Sequence, residues 1–178
     1  MHERCCHGHT LAELLVVCAV LAVAAAVALP SAQPVADFRA DAAASEVVQA
    51  LRFARQEAMR TSAYRMLACD LGRNQLSVVL SDGSPDDAPK DPLTKMDYKV
   101  VLSQVPAGSN ATLSACSFKF ADNTSAATLG FDANGNPVRG TSAGPSAAQA
   151  LTSGTILVSI GNATRTISID AIGRITSS

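Results

Sequence analysis

Gly8-His9-Thr10-Leu11-Ala12-Glu13-Leu14-Leu15-Val16-Val17-Cys18-Ala19-Val20-Leu21 sets one carboxylate at the head of a run that stays uncharged to Leu29. An acid at the centre of a membrane helix costs roughly 3 kcal/mol on insertion scales and less near the edge, so Glu13 asks for a partner. Cleavage after Gly8 would make one. The new amine on His9 would lie four residues before Glu13, one helical turn away on the same face. At about 1.5 Å per residue, residues 11–29 are long enough to cross most of a hydrocarbon core.

Other routes read on the same stretch. Ala26-Val27-Ala28 has the small-x-small pattern of a signal peptidase site. Against it, the leading residues carry only Arg4, offset by Glu3, and Glu13 would lie uncompensated in the apolar core. Leu15-Val16-Val17-Cys18 ends in the cysteine a lipoprotein needs, but branched Val17 stands where such sites take a small residue. Cys18 reads better as a small apolar membrane residue. His2, Cys5, Cys6, His7 and His9 crowd metal-type ligands together. Most of them precede Gly8 and would leave with a cleaved leader, so neither a metal nor another cofactor is expected.

The stretch resembles the type IV pilin-like leader of prepilins and pseudopilins, which a dedicated prepilin peptidase cuts after glycine. The resemblance rests on Gly8, on Glu13 as the fifth mature residue, on the apolar run from Leu14 to Leu21, and on Pro30 as the twenty-second. It implies cleavage between Gly8 and His9, N-methylation of the His9 amine, and assembly roles for Glu13 and Pro30. Mature chains of that family usually begin with Phe; this one would begin with His9.

Of fourteen Lys and Arg only Arg4 precedes Pro30, and of fifteen Asp and Glu only Glu3 and Glu13 do, which leaves thirteen of each and a formally neutral remainder. Neutrality argues against a domain held to nucleic acid by bulk charge, and leaves room for a local basic patch. All three histidines lie at or before position 9. Ser-His-Asp or Cys-His catalysis and a histidine zinc site are thereby excluded from the rest of the chain. Asp86-Asp87 falls in a Pro-rich stretch that reads as a solvated loop, so no catalytic residue is expected. The roughly 150 residues beyond Pro30 suffice for one domain with a core. Only Cys69 and Cys116 lie there. In an oxidising compartment they read as a bridge closing a loop of nearly fifty residues, worth roughly 3–4 kcal/mol, or as two buried thiols on separate strands.

Pro30 and Pro34 interrupt the helix, and helix formers resume from Val35 to about Thr61. Ala44, Val47, Val48, Leu51, Ala54 and Ala58 make one apolar stripe, with Asp37, Asp41, Glu46, Arg52 and Glu57 on other faces. Arg55 falls inside the apolar sector and reads as a side chain snorkelling at its edge. Residues 11–61 would form an interrupted helix of roughly 75 Å. The rest reads as β: strands at 64–71 and 75–80 around Gly72-Arg73-Asn74, then 98–105, 111–121 and 128–132. Residues 82–92 read as a loop, Asn134-Gly135-Asn136-Pro137 as a turn, and 140–154 as a small, polar, mobile stretch. Strands at 155–160 and 165–169 flank Gly161-Asn162, and Gly173-Arg174-Ile175 closes the pattern.

Leu129-Gly130-Phe131-Asp132 with Gly135, the Arg165-x-Ile167-x-Ile169 core and the terminal Gly173-Arg174-Ile175 are similar to the GspH/FimT family of minor pilins and pseudopilins. Arg52-Phe53-Ala54-Arg55-Gln56-Glu57-Ala58 resembles that family's helix segment, which typically reads Ala-Arg-x-Glu-Ala. The resemblance implies an α+β, pilin-like fold: a long N-terminal helix, half transmembrane and half amphipathic, packed on an antiparallel β-sheet head. Residues 1–8 would be the leader, 9–29 the transmembrane and polymerisation helix, 30–61 its amphipathic half, and 62–178 a periplasmic head. The function implied is a structural subunit of a type II secretion pseudopilus or a type IV pilus. Its partners would be other pilins or pseudopilins, prepilin peptidase and the inner-membrane assembly platform; it would cross the inner membrane once before entering the filament. Two alternatives stay open. FimT-type members are thought to take up DNA through a C-terminal Gly-Arg-x-Arg; here Gly173-Arg174-Ile175-Thr176 keeps only Arg174 as a DNA contact. The other is a secreted or lipid-anchored β-domain with an ordinary signal peptide.

Overall fold

Thr10 starts the first helix. The Glu13 amide lies 3.0 Å from the Thr10 carbonyl and 3.3 Å from its hydroxyl, which satisfies a donor that a helix start leaves orphaned. In this computed structural model, which describes residues 10–28, 32–80, 88–106, 108–139 and 149–178 and omits the side chains of 26–28 and 32–34, α1 spans Leu11–Ala28 and α2 spans Ala32–Thr61. The chain divides into two compact units between Ala32 and Gln33. Pro34 does not interrupt α2 as expected but lies in its first turn. There the missing N–H would have no intrahelical acceptor, so proline is tolerated.

The buried stripe of α2 is Ala40, Ala43, Ala44, Val47, Ala50, Leu51, Ala54 and Ala58, mostly methyl-sized. Small side chains let the helix backbone approach closely; a Cβ on Gly108 would come within 2.9 Å of the Ala43 Cβ. Val48, expected in the stripe, is only half-buried against the core. Phe53, at the stripe's margin, stacks on Tyr98 with ring centroids 3.9 Å apart. Burial there pushes the Tyr98 phenol up to about 12.

Ten strands follow: β1 (Arg65–Asp70), β2 (Gln75–Val79), β3 (Lys99–Val101), β4 (Thr112–Phe120), β5 (Ser125–Ala126), β6 (Thr128–Phe131), β7 (Pro137–Arg139), β8 (Leu151–Ile160), β9 (Ala163–Asp170) and β10 (Ile175–Ser177). All named pairings are antiparallel, as expected, but the strands make two sheets: β3-β2-β1-β6-β7 and β10-β9-β8-β4-β5. Alternation along β8 buries Leu151, Gly154, Ile156, Val158 and Ile160, the period of a sheet with one face on a core. One cluster joins Leu51 and Ala54 of α2 to Leu67, Leu76 and Phe131 of the first sheet and to Phe118, Ile156 and Ile167 of the second. Each such side chain contributes about 1.5–3 kcal/mol on burial.

Three ties cross between the sheets. Cys69 of β1 and Cys116 of β4 form a disulfide, S–S 2.01 Å. The Cys69 amide donates to the Ala127 carbonyl at 3.1 Å, just where the chain leaves β5 for β6. Asn74, in the β1–β2 turn at φ +55°, donates to the Ala111 carbonyl and accepts from the Leu113 amide, each at 2.6 Å. An asparagine tolerates that backbone and offers both a donor and an acceptor.

The structure departs from the expected strands at two places. The strand expected over 98–105 is only Lys99–Val101, because a 3-10 turn over Leu102–Gln104 buries Leu102 and ends it. The mobile stretch expected over 140–154 gives way at Leu151 to β8, whose Leu151, Ser153 and Gly154 pair with Phe120, Lys119 and Phe118. Gly154 is needed there: a Cβ would fall 2.5 Å from both Phe118 and Ile169. Residues 140–148, and 81–87 with the Asp86-Asp87 pair, lie outside the described residues.

Candidate functional site

Side chains from Leu11 to Ala25 of α1 are all exposed, from Leu11 at 80% to Val17 at 50% among the large ones. The helix is apolar on every side, so it has no polar face to turn to water. Eighteen residues extend about 27 Å, against about 30 Å of hydrocarbon. Among the described residues no helix is long and apolar enough to cross a membrane. Glu13 lies in the first turn of α1, where a negative charge suits the helix dipole. Gly8, His9 and Pro30, with the ligand-like His2, Cys5, Cys6 and His7, lie outside the described residues. Among the described residues no group of three His, Cys, Asp or Glu could hold a metal ion.

A second constellation of side chains lies in the head. Asp132-Ala133-Asn134-Gly135-Asn136 ends β6, and Asp170-Ala171-Ile172-Gly173-Arg174 ends β9; both read Asp-Ala-x-Gly-x. They fold alike. The Asp132 and Asp170 amides each donate to the carbonyl four residues on at 3.1 Å, and the Gly135 and Gly173 amides return to the aspartate carbonyls at 2.9 and 3.0 Å. One carboxylate oxygen of each aspartate accepts two amides: from Asn134 and Asn136 at 2.9 and 2.8 Å, and from Ile172 and Arg174 at 3.1 and 2.8 Å. Both glycines stand at positive φ, +79° and +80°, which a Cβ would make costly. The Arg174 and Ile172 amides hold the Asp170 carboxyl below its usual range.

Arg55 lies against both turns. Its Nη1 donates to the Gly173 carbonyl at 2.9 Å and its Nη2 reaches the Ile172 carbonyl at 3.5 Å. A Cβ on Gly173 would fall 3.2 Å from the Arg55 Cζ, and one on Gly135 would fall 3.2 Å from its Nε. Arg55 is therefore no snorkelling side chain. It donates into the head because carbonyls exposed by the second turn offer a charged donor more than the helix edge does. Three segments far apart in sequence, at Arg55, Gly135 and Gly173, thus meet at one guanidinium. The repeated Asp-Ala-x-Gly was legible in the sequence and could have pointed to it.

Above Arg55 is a cleft of about 330 Å³, lined by Arg52, Arg55, Gln56, Met59, Gly173, Arg174 and Ile175. Arg174 lies at its rim, 75% exposed, with Nε 3.3 Å from Asp170. Chemically the cleft offers guanidinium groups beside apolar walls and no nucleophile or base.

Comparison with known proteins follows the same divisions. The family described as Type II transport protein GspH matches residues 43–173, and the Prokaryotic N-terminal methylation motif matches residues 4–29. The structure of the type IV minor pilin FimU of Pseudomonas aeruginosa is similar at 24% identity and TM-score 0.46, over 78% of this chain and 87% of that one. The minor pseudopilin EpsH of the Type 2 Secretion System of Vibrio cholerae is similar at 14% identity and TM-score 0.49, over 79% and 96%. No curated protein matches the sequence.

Proposed function

The chain belongs to the GspH family of type II transport proteins, a structural subunit of the minor pilin and pseudopilin kind rather than an enzyme, and from that premise we propose that α1 first holds it in the bacterial inner membrane and then builds it into a filament. Prepilin peptidase cuts between Gly8 and His9. The head stands in the periplasm, and the assembly platform moves the subunit into a type II secretion pseudopilus or a type IV pilus.

The observation that carries this reading is α1 itself. Eight large apolar side chains of the helix, Leu11, Leu14, Leu15, Val16, Val17, Val20, Leu21 and Val23, are each half or more exposed. Covering them is worth on the order of 10 kcal/mol, comparable with the whole stability of a domain. Such a rod belongs in lipid or against similar rods. Its packing is non-directional, so something else must set the register, and Glu13 is the one ionisable group of α1 besides the Cys18 thiol. In the filament Glu13 takes the His9 amine of a neighbouring subunit, and a neighbour out of register would strand both charges in a medium of low dielectric. The helix-breaking Pro30 lies at the end of the apolar run.

N-terminal sequencing of the protein from inner membranes and from sheared filaments tests the reading. The expected first residue is His9. A chain that keeps its first eight residues, or begins at Leu29 or Cys18, refutes it. Glu13→Ala is expected to be processed and then lost from filaments; wild-type filament content would remove the pinning role alone.

A further inference from the structure

The twin turns form an internal control. Their matching hydrogen-bond distances agree to within about 0.2 Å, and their glycines stand at φ +79° and +80°. Even the last side chain repeats: Asn136 Nδ2 reaches the second oxygen of Asp132 at 3.0 Å, and Arg174 Nε reaches that of Asp170 at 3.3 Å. Asparagine at both variable positions therefore suffices to build this turn. The second turn nonetheless carries Ile172 and Arg174, and Ile172 is 73% exposed. Neither residue is explained by the turn it stands on.

Asp170 is the carboxylate beside them, on their own turn; the cleft they border has a different chemistry. The adjoining cleft is lined by three arginines and no carboxylate, in a chain region that is formally neutral overall. Arg55 is committed to the Gly173 and Ile172 carbonyls. Arg52 is exposed and forms no ion pair among the described residues, and Arg174 is held only by a solvent-exposed pair of the kind that gives way easily. Met59 and Ile175 supply apolar wall. Arginine and methionine are both enriched in protein–protein interfaces, and arginine at their hot spots.

We propose that Ile172, Arg174 and the cleft beside them dock an acidic segment of a partner protein, in which carboxylates flank an apolar side chain. The carboxylates pair with Arg52 and Arg174 at the rim, and the apolar side chain covers Ile172 and Met59. Duplex DNA fits the site less well. Its phosphates would meet the two arginines but leave Ile172 and Met59 uncovered, and Arg165, farther along this side of the head, is already taken by Asp37 and Asp41. This inference does not depend on α1 or on where the subunit assembles.

Fluorescence anisotropy with the full chain in nonionic detergent tests it, using a short labelled peptide of alternating Glu and Leu as probe and empty micelles as blank. Saturable binding is expected. It should weaken at least tenfold when Gln replaces Glu or Ser replaces Leu in the peptide, and likewise in Arg52→Gln. The Ile172→Asn/Arg174→Asn variant rewrites the second turn as a copy of the first; it should keep its melting temperature and lose at least tenfold in affinity. Absence of saturable binding, or undiminished binding by that folded variant, overturns the proposal. Displacement of the peptide by duplex DNA at lower concentration than by unlabelled peptide also overturns it and assigns the cleft to nucleic acid. Should the double variant fail to fold, Arg52→Gln decides alone, and unchanged affinity there overturns the proposal.

Discussion

Breaking the bond between Cys69 and Cys116 tests how the two sheets are held together. The cysteines are 47 residues apart, one on the central strand of the first sheet and one on β4 of the second. In the chain-entropy account, closing a loop of that length removes freedom from the unfolded ensemble worth about 4 kcal/mol at 25 °C. For a domain of roughly 150 residues, each kcal/mol moves the melting temperature by about 2–4 °C, so the fall on reduction is about 8–16 °C. The other ties, through Asn74 and the Ala127 carbonyl, and the shared core survive reduction, so the head is expected to remain folded at room temperature. Circular dichroism melts of oxidised, phosphine-reduced and Cys69→Ser/Cys116→Ser protein in detergent give the number, with Cys18 left in place throughout. A denaturant titration separates the mechanism. The freed chain unfolds to a more expanded state, so the slope m should rise on reduction. A fall of less than about 3 °C with both thiols confirmed free would refute the reasoning, because the bond would then be constraining an ensemble already held together by other means.

The clamp at Arg55 predicts a difference between two glycines. Gly173→Ala and Gly161→Ala both place a Cβ at positive φ, but the first meets Arg55 at 3.2 Å and the second meets nothing within 4 Å. Gly161→Ala is expected to cost about 1 kcal/mol and Gly173→Ala about 2–3 kcal/mol by denaturant titration; equal costs would mean that the guanidinium yields freely. Acid titration is the next check. The Arg165 guanidinium holds Asp41 low, the Thr94 and Leu93 amides hold Asp91 low, Thr124 holds Asp122 low, and the Arg174 and Ile172 amides hold Asp170 low. Depressed carboxyl values add stability that is complete above the unfolded value of about 4 and is lost as pH falls through the folded ones. Stability should therefore be insensitive to these groups between pH 7 and 5 and decline below pH 4; carboxyl-carbon NMR placing Asp170 at or above about 3.9 would contradict the aspartate-capped turn.

Periodicity made much of the fold legible. Ala44, Val47, Leu51, Ala54 and Ala58 lie three and four apart and are buried as expected, and Ile156, Val158 and Ile160 alternate into the core. What periodicity could not carry was anything set by long-range pairing. Leu151 reads as part of a small polar stretch until Phe120 is placed opposite it, and Gly154 reads as a breaker until Phe118 fills the space above it. Division of the strands into two sheets depends on Ala127 turning from one sheet to the other, and a pairwise pattern along the chain does not encode that crossing. Arg55 failed for a related reason. From its own helix it is a cation in an apolar stripe, and its acceptors are 117 and 118 residues away.

The clamp bears on how such a subunit could be specific. An apolar rod packs against any similar rod, and a single acid distinguishes register but not identity. In the proposed filament, discrimination among partners then falls to the head, and a head can discriminate only if its displayed side chains are held still; loosely held ones would lose much of their contact energy to ordering on binding. The second Asp-Ala-x-Gly-x turn meets that condition. Asp170 ties down three of its residues, Gly173 removes the steric barrier to its bend, and Arg55 fastens its carbonyls to α2, none of which uses the side chains of Ile172 or, beyond a weak exposed pair, Arg174. Construction and display are thereby separated at one turn, so the displayed pair can change without unmaking the fold, as Asn134 and Asn136 already demonstrate on the other sheet.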